Sequence, residues 1–254
     1  MFMRLFVGLL VLFCVPSLSG ATEVELSDVV NALETPFKVE TKPLDRIQDF
    51  TADFSQESHI ASIDRTQHGQ GIVSFKFLAA AGDESSIAKF RWEYRKPSVQ
   101  EIISDGHIMW VYIPENRQVI ESDISQMNAQ QGQNPITFLS GLGNLSRDFV
   151  INWAAEKTDQ AGDYLLLLKP REESQLIQQI EVVVSHEAVT EWQEQQKTGK
   201  AFPIRITQVT DPTGNRTTIE FHDVQVNQHL ADKLFSFERP EGVELVNPGE
   251  QLMF

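Results

Sequence analysis

Apolar residues recur at two different spacings along this chain, and the change in spacing separates a helical start from a long run of strands. Val29, Val30 and Leu33 follow a helical spacing. Ser27-Asp28 can cap this helix at its beginning, and Pro36 ends it. The pattern therefore predicts one helix that ends before residue 36.

The spacing changes to a period of two from residue 51, after residues 44–50, which still predict a second, short helix. Alternation of this kind is typical of strands with one buried face. The alternating segments are 51–57, 69–77, 89–94, 99–104, 107–113, 117–121, 164–169, 177–185, 188–193, 203–210, 215–226 and 234–239. Turn-forming residues join them, as at Asp105-Gly106. About eleven short strands predict an antiparallel sheet curled into a barrel or sandwich.

One long segment interrupts the strands. Residues 125–147 are rich in Gln, Asn and Gly but also contain regularly spaced apolar residues, which predict a short amphipathic helix in a long loop. These positions are Ile136, Phe138, Leu139, Leu142 and Leu145. No tandem repeat or domain linker divides the rest of the sequence. Residues 22–254 are therefore expected to form one domain.

The first 21 residues have the pattern of a secretory signal peptide. Their apolar run of about eleven residues is shorter than the roughly 20 residues of a transmembrane helix. Pro16 breaks this run, and Ser19-Gly20-Ala21 offers a cleavage site after Ala21. The one cysteine, Cys14, follows Phe13, where a lipoprotein signal needs a small residue. We therefore expect an exported, periplasmic protein without disulfide bonds or a lipid anchor of its own.

The charge balance excludes one class of partner. The chain has 36 acidic and 21 basic residues, a formal net charge of −15. Such a surface repels nucleic acids and anionic lipid headgroups. No nucleic-acid partner is expected.

Residues with catalytic or metal-binding potential form no recognised motif in the sequence. The six histidines show neither HxH nor HExxH spacing. There is no GxSxG motif and no dinucleotide-binding fingerprint. The acidic pairs Asp83-Glu84 and Glu172-Glu173 lie in polar segments typical of a solvated surface. We therefore predict no catalytic residue, metal site or cofactor, although a triad from distant segments is recognised only by its geometry.

Large aromatic residues occupy one face of a predicted strand. Phe90, Trp92 and Tyr94 alternate with charged residues. Two interpretations follow from this pattern. The rings either fill an ordinary β core or line a ligand cavity, which a curled sheet with a helix or loop across its mouth tends to enclose.

Seven short motifs follow one another in a characteristic order. They are Phe50-Thr-Ala-Asp-Phe-Ser-Gln56, Gly69-Gln-Gly71, Phe90-Arg-Trp-Glu-Tyr94, Ser104-Asp-Gly-His-Ile-Met-Trp-Val-Tyr112, Asn134-Pro-Ile-Thr-Phe-Leu139, Asp223-Val-Gln-Val-Asn227 and Phe235-Ser-Phe-Glu-Arg-Pro-Glu-Gly-Val243. In this order they resemble the LolA family of periplasmic outer-membrane lipoprotein carriers, over about residues 44–246.

The resemblance implies a mainly β fold with helices: an incomplete antiparallel β-barrel with a helical lid over an apolar cavity. It also implies that the cavity shields the acyl chains of a lipoprotein on its way from an inner-membrane donor complex to an outer-membrane acceptor. A carrier of this kind is expected to be a monomer and to need no cofactor.

The resemblance and the alternation together select the residues expected to contact the cargo. The predicted cavity residues are Phe54, Phe75, Phe90, Trp92, Ile103, Trp110 and Tyr112. The predicted lid residues are Ile136, Phe138, Leu139 and Leu142. The assignment to one face depends on strand register, because a shift of one residue exchanges the two faces.

Two departures from the family pattern leave alternatives open. The family's arginine-proline pair before the Phe-x-Trp strand has no counterpart, since Lys76, Lys89 and Arg91 do not match it residue by residue. A spacer at residues 35–42 separates the first helix from the matched block. The alternatives are a carrier of another lipid or glycolipid, a regulatory or interaction module without cargo, and a lipid hydrolase with a serine and a histidine at the cavity mouth.

Overall fold

The computed structural model describes residues 23–78, 88–123, 138–195 and 200–246. The predicted signal peptide lies outside these residues. In the part of the chain that is described, no helix has both the length and the apolar character needed to span a membrane.

The described residues form twelve strands and three α-helices. The strands are β1 (Asp49–Ile60), β2 (Arg65–Phe77), β3 (Ala88–Lys96), β4 (Gln100–Ser104), β5 (Ile108–Ile113), β6 (Gln118–Asp123), β7 (Phe149–Thr158), β8 (Tyr164–Pro170), β9 (Gln179–Val184), β10 (Ile204–Thr210), β11 (Arg216–Val226) and β12 (Glu244–Val246). The helices are α1 (Leu26–Glu34), α2 (Leu145–Asp148) and α3 (His186–Gln195). Short 3₁₀ turns include Thr35–Phe37, Pro43–Asp45, Leu139–Asn144 and Asp232–Phe235.

All twelve strands belong to one sheet, in the order β12-β6-β5-β4-β3-β2-β1-β11-β10-β9-β8-β7. Neighbouring strands are antiparallel except β12, which pairs in parallel with β6. The sheet is open, because within the described residues β12 and β7 end the order and do not pair with each other. The predicted mainly β fold and incomplete barrel are confirmed.

One face of the sheet, here called the inner face, carries the main hydrophobic cluster and packs against the helices. Helix α1 contributes Val29, Ala32 and Leu33, all completely buried. At the centre of the sheet the rings of Phe50 and Phe75 stack with their centroids 5.3 Å apart. The helices and the sheet therefore share a single core, and the other face of the sheet is called the outer face.

Several predicted elements differ from those observed. Residues 188–193, predicted as a strand, lie in α3. Here Ala188 and Val189 are buried, and Trp192, one helical turn further, packs on the core. The helix is fixed at its beginning by the Asp163 carboxylate, which accepts the backbone N–H of His186 at 2.8 Å. The strand prediction failed here because Ala188 and Trp192, four residues apart, fit a period of two as well as a helical spacing.

Other differences lie at the ends of elements. Residues 44–50, predicted as a helix, form the turn Pro43–Asp45 and then the beginning of β1. Residues 234–239, predicted as a strand, contain the end of the 3₁₀ turn Asp232–Phe235 and no strand. Strand β7 was missed, because its sequence Phe-Val-Ile-Asn-Trp-Ala-Ala-Glu-Lys-Thr does not alternate regularly.

The close approach of β2 and β3 depends on a glycine. A β-bulge shifts the register between Gln70 and Gly71, and a Cβ atom on Gly71 would lie 1.9 Å from the carbonyl oxygen of Glu93. Only glycine fits at such a contact without moving the backbone of β3. The absence of a side chain at Gly71 therefore allows β3, which carries Phe90 and Trp92, to lie this close to β2.

We expect Gly71→Ala to destabilise the protein by at least roughly 2 kcal/mol, because β2 and β3 must separate to accept the methyl group. Chemical denaturation monitored by circular dichroism measures this change. Gly141→Ala is the matched control, since a Cβ atom there meets no atom within 4 Å. Equal stability of the two variants would contradict this account of the bulge.

Candidate functional site

Four of the predicted cavity residues come together on the inner face. Phe54, Phe75, Phe90 and Trp92 are each no more than 2% exposed. The Trp92 ring lies 4.9 Å from that of Phe54 and 6.1 Å from that of Phe75, and both contacts are edge-to-face. Phe75 also contacts Phe90 at 5.5 Å. These four residues, on β1, β2 and β3, are called the aromatic wall.

The other three predicted cavity residues lie on the outer face, so the prediction that they line the same cavity is wrong. Ile103 pairs with Arg91 and Trp110, whereas its neighbour Ile102 pairs with Trp92. Cross-strand partners point to the same side of a sheet, so Ile103 and Trp110 lie opposite the aromatic wall. Tyr112 shares their side, because it lies two residues beyond Trp110 on β5.

The outer-face aromatic residues have a partner of their own. The ring of Phe237 lies 6.1 Å from Trp110 and 5.5 Å from Tyr112. The indole N–H of Trp110 donates to the Glu121 carboxylate at 2.9 Å. Trp110 and Tyr112 therefore anchor residues 230–237, called the C-terminal segment, to the outer face of the sheet.

The described part of the predicted lid is buried against the inner side of the molecule. Phe138, Leu139 and Leu142 are each no more than 1% exposed and belong to the same hydrophobic cluster as the aromatic wall. Residues 138–148 pack against α1, the turn Thr35–Phe37 and β7, and are called the cap segment. The fourth predicted lid residue, Ile136, lies outside the described residues.

The cap segment is fastened to α1 by a buried carboxylate. Glu34, at the end of α1, is 2% exposed and accepts the backbone N–H of Ser146. Lys38 forms an ion pair with the same carboxylate at 3.1 Å. A buried carboxylate needs such partners, because an unpaired one is very costly to remove from water. Glu34 was not found from the sequence, although its spacing of four from Val30 places it on the apolar side of the helix.

Two further contacts hold the same segment. A Cβ atom on Gly143 would lie 2.8 Å from the carbonyl oxygen of Phe37, so the cap segment approaches the backbone after α1 very closely. The Arg171 guanidinium donates to the carbonyl oxygen of Ser146 at 3.2 and 3.3 Å. The end of the cap segment is therefore held between α1 and β8.

The three cations near the missing family arginine are engaged on other partners. Lys76 and Lys89 bind the Asp232 carboxylate at 2.9 and 3.2 Å, and these bonds lower the pKa of Asp232. Arg91 donates to the carbonyl oxygen of Leu234 at 3.2 Å and forms an ion pair with Glu101. All three therefore fasten the C-terminal segment, and we assign none of them to the cap segment.

The aromatic wall and the cap segment each contain a buried polar atom without a hydrogen-bond partner among the described residues. These atoms are the indole nitrogen of Trp92 and the hydroxyl oxygen of Ser140. Buried polar groups in a finished core are almost always paired, and an unpaired one costs about 1–3 kcal/mol. Trp92 and Ser140 therefore each hold a hydrogen-bonding group that no described residue pairs with.

A serine, a histidine and a carboxylate meet on the outer face. Ser55 Oγ lies 3.2 Å from His222 Nε2, and the Nδ1 of the same ring lies 3.9 Å from Glu220 Oε1. Sequence spacing could not show this group, because β1 and β11 become neighbours only in the sheet. The side chains of His222 and Glu220 are about half exposed, and they point away from the aromatic wall. Because the group lies on the opposite face of the sheet, it is not placed to act on an acyl ligand at the aromatic wall.

The described residues contain no cluster of three or more histidine, cysteine or acidic side chains that could hold a metal ion.

Comparisons with known proteins point to one family. The model of the family described as "Outer membrane lipoprotein carrier protein LolA" matches residues 45–238. The outer-membrane lipoprotein carrier protein of Hahella chejuensis is 27% identical over 239 residues, which cover 94% of this chain and 97% of that protein. The protein of the same name from Pseudomonas aeruginosa is 29% identical over 205 residues, which cover 80% of this chain and 83% of that protein.

A solved structure shows a weaker similarity. The structure of a LolA superfamily protein from Nitrosomonas europaea has a TM-score of 0.38 and 15% sequence identity to this chain. The alignment covers 84% of this chain and 98% of that protein.

We expect Glu34→Ala to loosen the cap segment, because the buried Ser146 N–H loses its acceptor. The cost is about 1–3 kcal/mol, which corresponds to amide hydrogen exchange about 5- to 150-fold faster in residues 138–148. Mass spectrometry of exchanged peptides measures this rate. The control is Glu40→Ala, which removes an exposed carboxylate from the same region. Unchanged exchange in Glu34→Ala would contradict the role of Glu34.

Proposed function

We propose that this chain, which belongs to the LolA family of outer membrane lipoprotein carrier proteins, carries lipoproteins through the periplasm with their acyl chains between the aromatic wall and the cap segment. The observation that supports this most directly is the aromatic wall itself: four large rings on one face of the sheet, in the same hydrophobic cluster as the cap segment. The donor is an inner-membrane complex and the acceptor lies in the outer membrane.

The energetics of acyl transfer explain why such a protein needs no catalytic groups. Each methylene removed from water is worth about 0.8 kcal/mol, so a single 16-carbon chain in water costs on the order of 10 kcal/mol. The carrier must offset most of this cost and still release its cargo. It therefore binds and releases without covalent chemistry, and it is not an enzyme.

Binding requires the cap segment to move, since the aromatic wall is at most 2% exposed in the packed arrangement. The cost of this movement lowers the affinity for the cargo, because ligand binding must displace the packed arrangement. Glu34 contributes to this cost through its bond to Ser146. The strength of the fastening thus sets the balance between holding the cargo and releasing it.

The unpartnered groups of the aromatic wall and the cap segment are suited to acylated ligands. Trp92 Nε1 is a donor, and Ser140 Oγ can donate or accept. The ester and amide carbonyls of a lipoprotein's acyl groups are acceptors that such donors can bind.

A second candidate is an interaction module without cargo. Its support is the complete burial of the aromatic wall, which is also what a filled core requires. After purification from the cell, a carrier would contain bound lipid or lipoprotein, whereas an interaction module would contain neither.

Native mass spectrometry of the protein purified from the periplasm, followed by extraction and identification of bound molecules, tests the proposal. We expect lipoprotein or its acyl chains at about one molecule per chain. Another lipid or glycolipid would keep the carrier function and change the cargo. A protein that contains no lipid and takes up no added lipoprotein would overturn the carrier function in favour of the module.

We expect Trp92→Leu to weaken acyl binding about tenfold, because the largest ring of the aromatic wall is lost. Displacement of a fluorescent fatty acid measures this affinity, and thermal unfolding measures stability in parallel. Trp110→Leu is the control, since it makes the same change on the outer face. If Trp92→Leu lowers stability but leaves affinity unchanged, the rings are ordinary core residues.

A further inference from the structure

A polar pocket of about 570 Å³ lies at the end of the aromatic wall where Tyr94 contacts Phe54. It is formed by the hairpin of β1 and β2 and by the turn that joins β3 to β4. Its lining contains amide, hydroxyl and cationic side chains, including Gln56, Arg65, His68, Tyr94, Lys96 and Ser98. We call it the rim pocket.

The rim pocket begins where the aromatic wall ends. The ring of Tyr94 lies edge-on to Phe54 at 5.0 Å, and its hydroxyl donates to Gln56 Oε1 at 2.8 Å. Gly69 leaves room for this ring, because a Cβ atom there would lie 3.3 Å from it. Burial raises the pKa of Tyr94 to about 12, so the group remains a neutral hydroxyl in the periplasm. One side chain thus presents an apolar ring to the wall and a polar tip to the pocket.

The charge of the rim pocket is opposite to that of the whole chain. Its lining contains Arg65, Lys96 and His68 but no carboxylate, in a protein of formal net charge −15. His68 has a carboxylate neighbour outside the lining, Glu57, at 3.9 Å. Arg65 and Lys96, in the part of the chain that is described, form no ion pair. Two cations without an internal partner therefore remain available to a ligand.

We propose that the rim pocket binds an anionic group at the polar end of the acylated cargo, a phosphate or a carboxylate, while the acyl chain follows the aromatic wall. This inference rests on the proposed carrier function and adds a preference among cargoes to it. The guanidinium of Arg65 and the ammonium of Lys96 bind the anion by charge-assisted hydrogen bonds. The amide and hydroxyl groups around them bind its remaining oxygens.

Two lipids with the same acyl chain test this preference. Palmitoyl-lysophosphatidylglycerol carries one phosphate charge, and monopalmitoylglycerol carries none. Displacement of a fluorescent fatty acid from the whole protein at low salt measures the affinity of each. We expect the anionic lipid to bind about tenfold more tightly, and this ratio to fall as salt is added.

The variant Arg65→Glu/Lys96→Glu should remove the preference and leave the affinity for the neutral lipid unchanged. Arg95→Glu is the matched control, because Arg95 is the exposed neighbour of Lys96 in β3 and does not line the pocket. This control should keep the preference. Circular dichroism and thermal unfolding establish that both variants fold.

The outcomes separate this inference from the carrier function. If the unaltered protein binds neither lipid, the carrier function fails. If it binds both equally, or if Arg95→Glu removes the preference as fully as the double variant does, the rim pocket is not the anion site, while the carrier function stands.

A second pair of ligands identifies the source of the anion. Diacylated lipopeptides with aspartate or asparagine after the acylated cysteine differ only in one carboxylate. Tighter binding of the aspartate peptide assigns the pocket to the peptide part of a lipoprotein. Equal binding of the two peptides, together with preference for the phosphate lipid, assigns it to a phospholipid headgroup.

Discussion

The structure depends on covering the apolar inner face of an open sheet. A closed barrel buries such a face by itself, but among the described residues this sheet ends in two edge strands and needs other elements to exclude water. Helices α1 and α3 and the cap segment perform this task, and their apolar residues join those of the strands in one cluster. Exposing the inner face would leave large rings in water, so the covering elements are held in place mainly by the hydrophobic effect.

The covering elements are not fastened equally. Helix α1 lies against the core through residues that are completely buried, and α3 is capped by Asp163 and packs on α1. The cap segment depends in addition on polar contacts at its end, where Glu34 and Arg171 bind the backbone of Ser146 from two sides. Polar contacts to a backbone can be exchanged for water at modest cost. The cap segment is therefore the covering element that depends on polar contacts at its end as well as on apolar packing.

The sequence predicted the β architecture and the central rings well, because β1 to β3 alternate between apolar and polar residues. Prediction failed where this contrast is absent. Strand β5 reads Ile-Met-Trp-Val-Tyr-Ile, which is apolar on both faces, so no pattern could show that Trp110 faces outward. Both faces of this strand are covered: the inner by the core and the outer by the C-terminal segment. The contact of Glu34 with Ser146 joins residues far apart in the chain, and only the folded structure reveals it.

The short strand β12 has a consequence for how the molecule meets other copies of itself. A sheet with free ends offers unpaired backbone groups to other chains, and an uncovered apolar face beside such an end would favour joining of sheets and aggregation. At one end, β12 pairs with residues 118–120 of β6 and covers half of its edge with a strand of three described residues. Short edges are poor templates for pairing with another chain. At this end of the sheet, β12 therefore shortens the edge that could pair with a second copy of the chain.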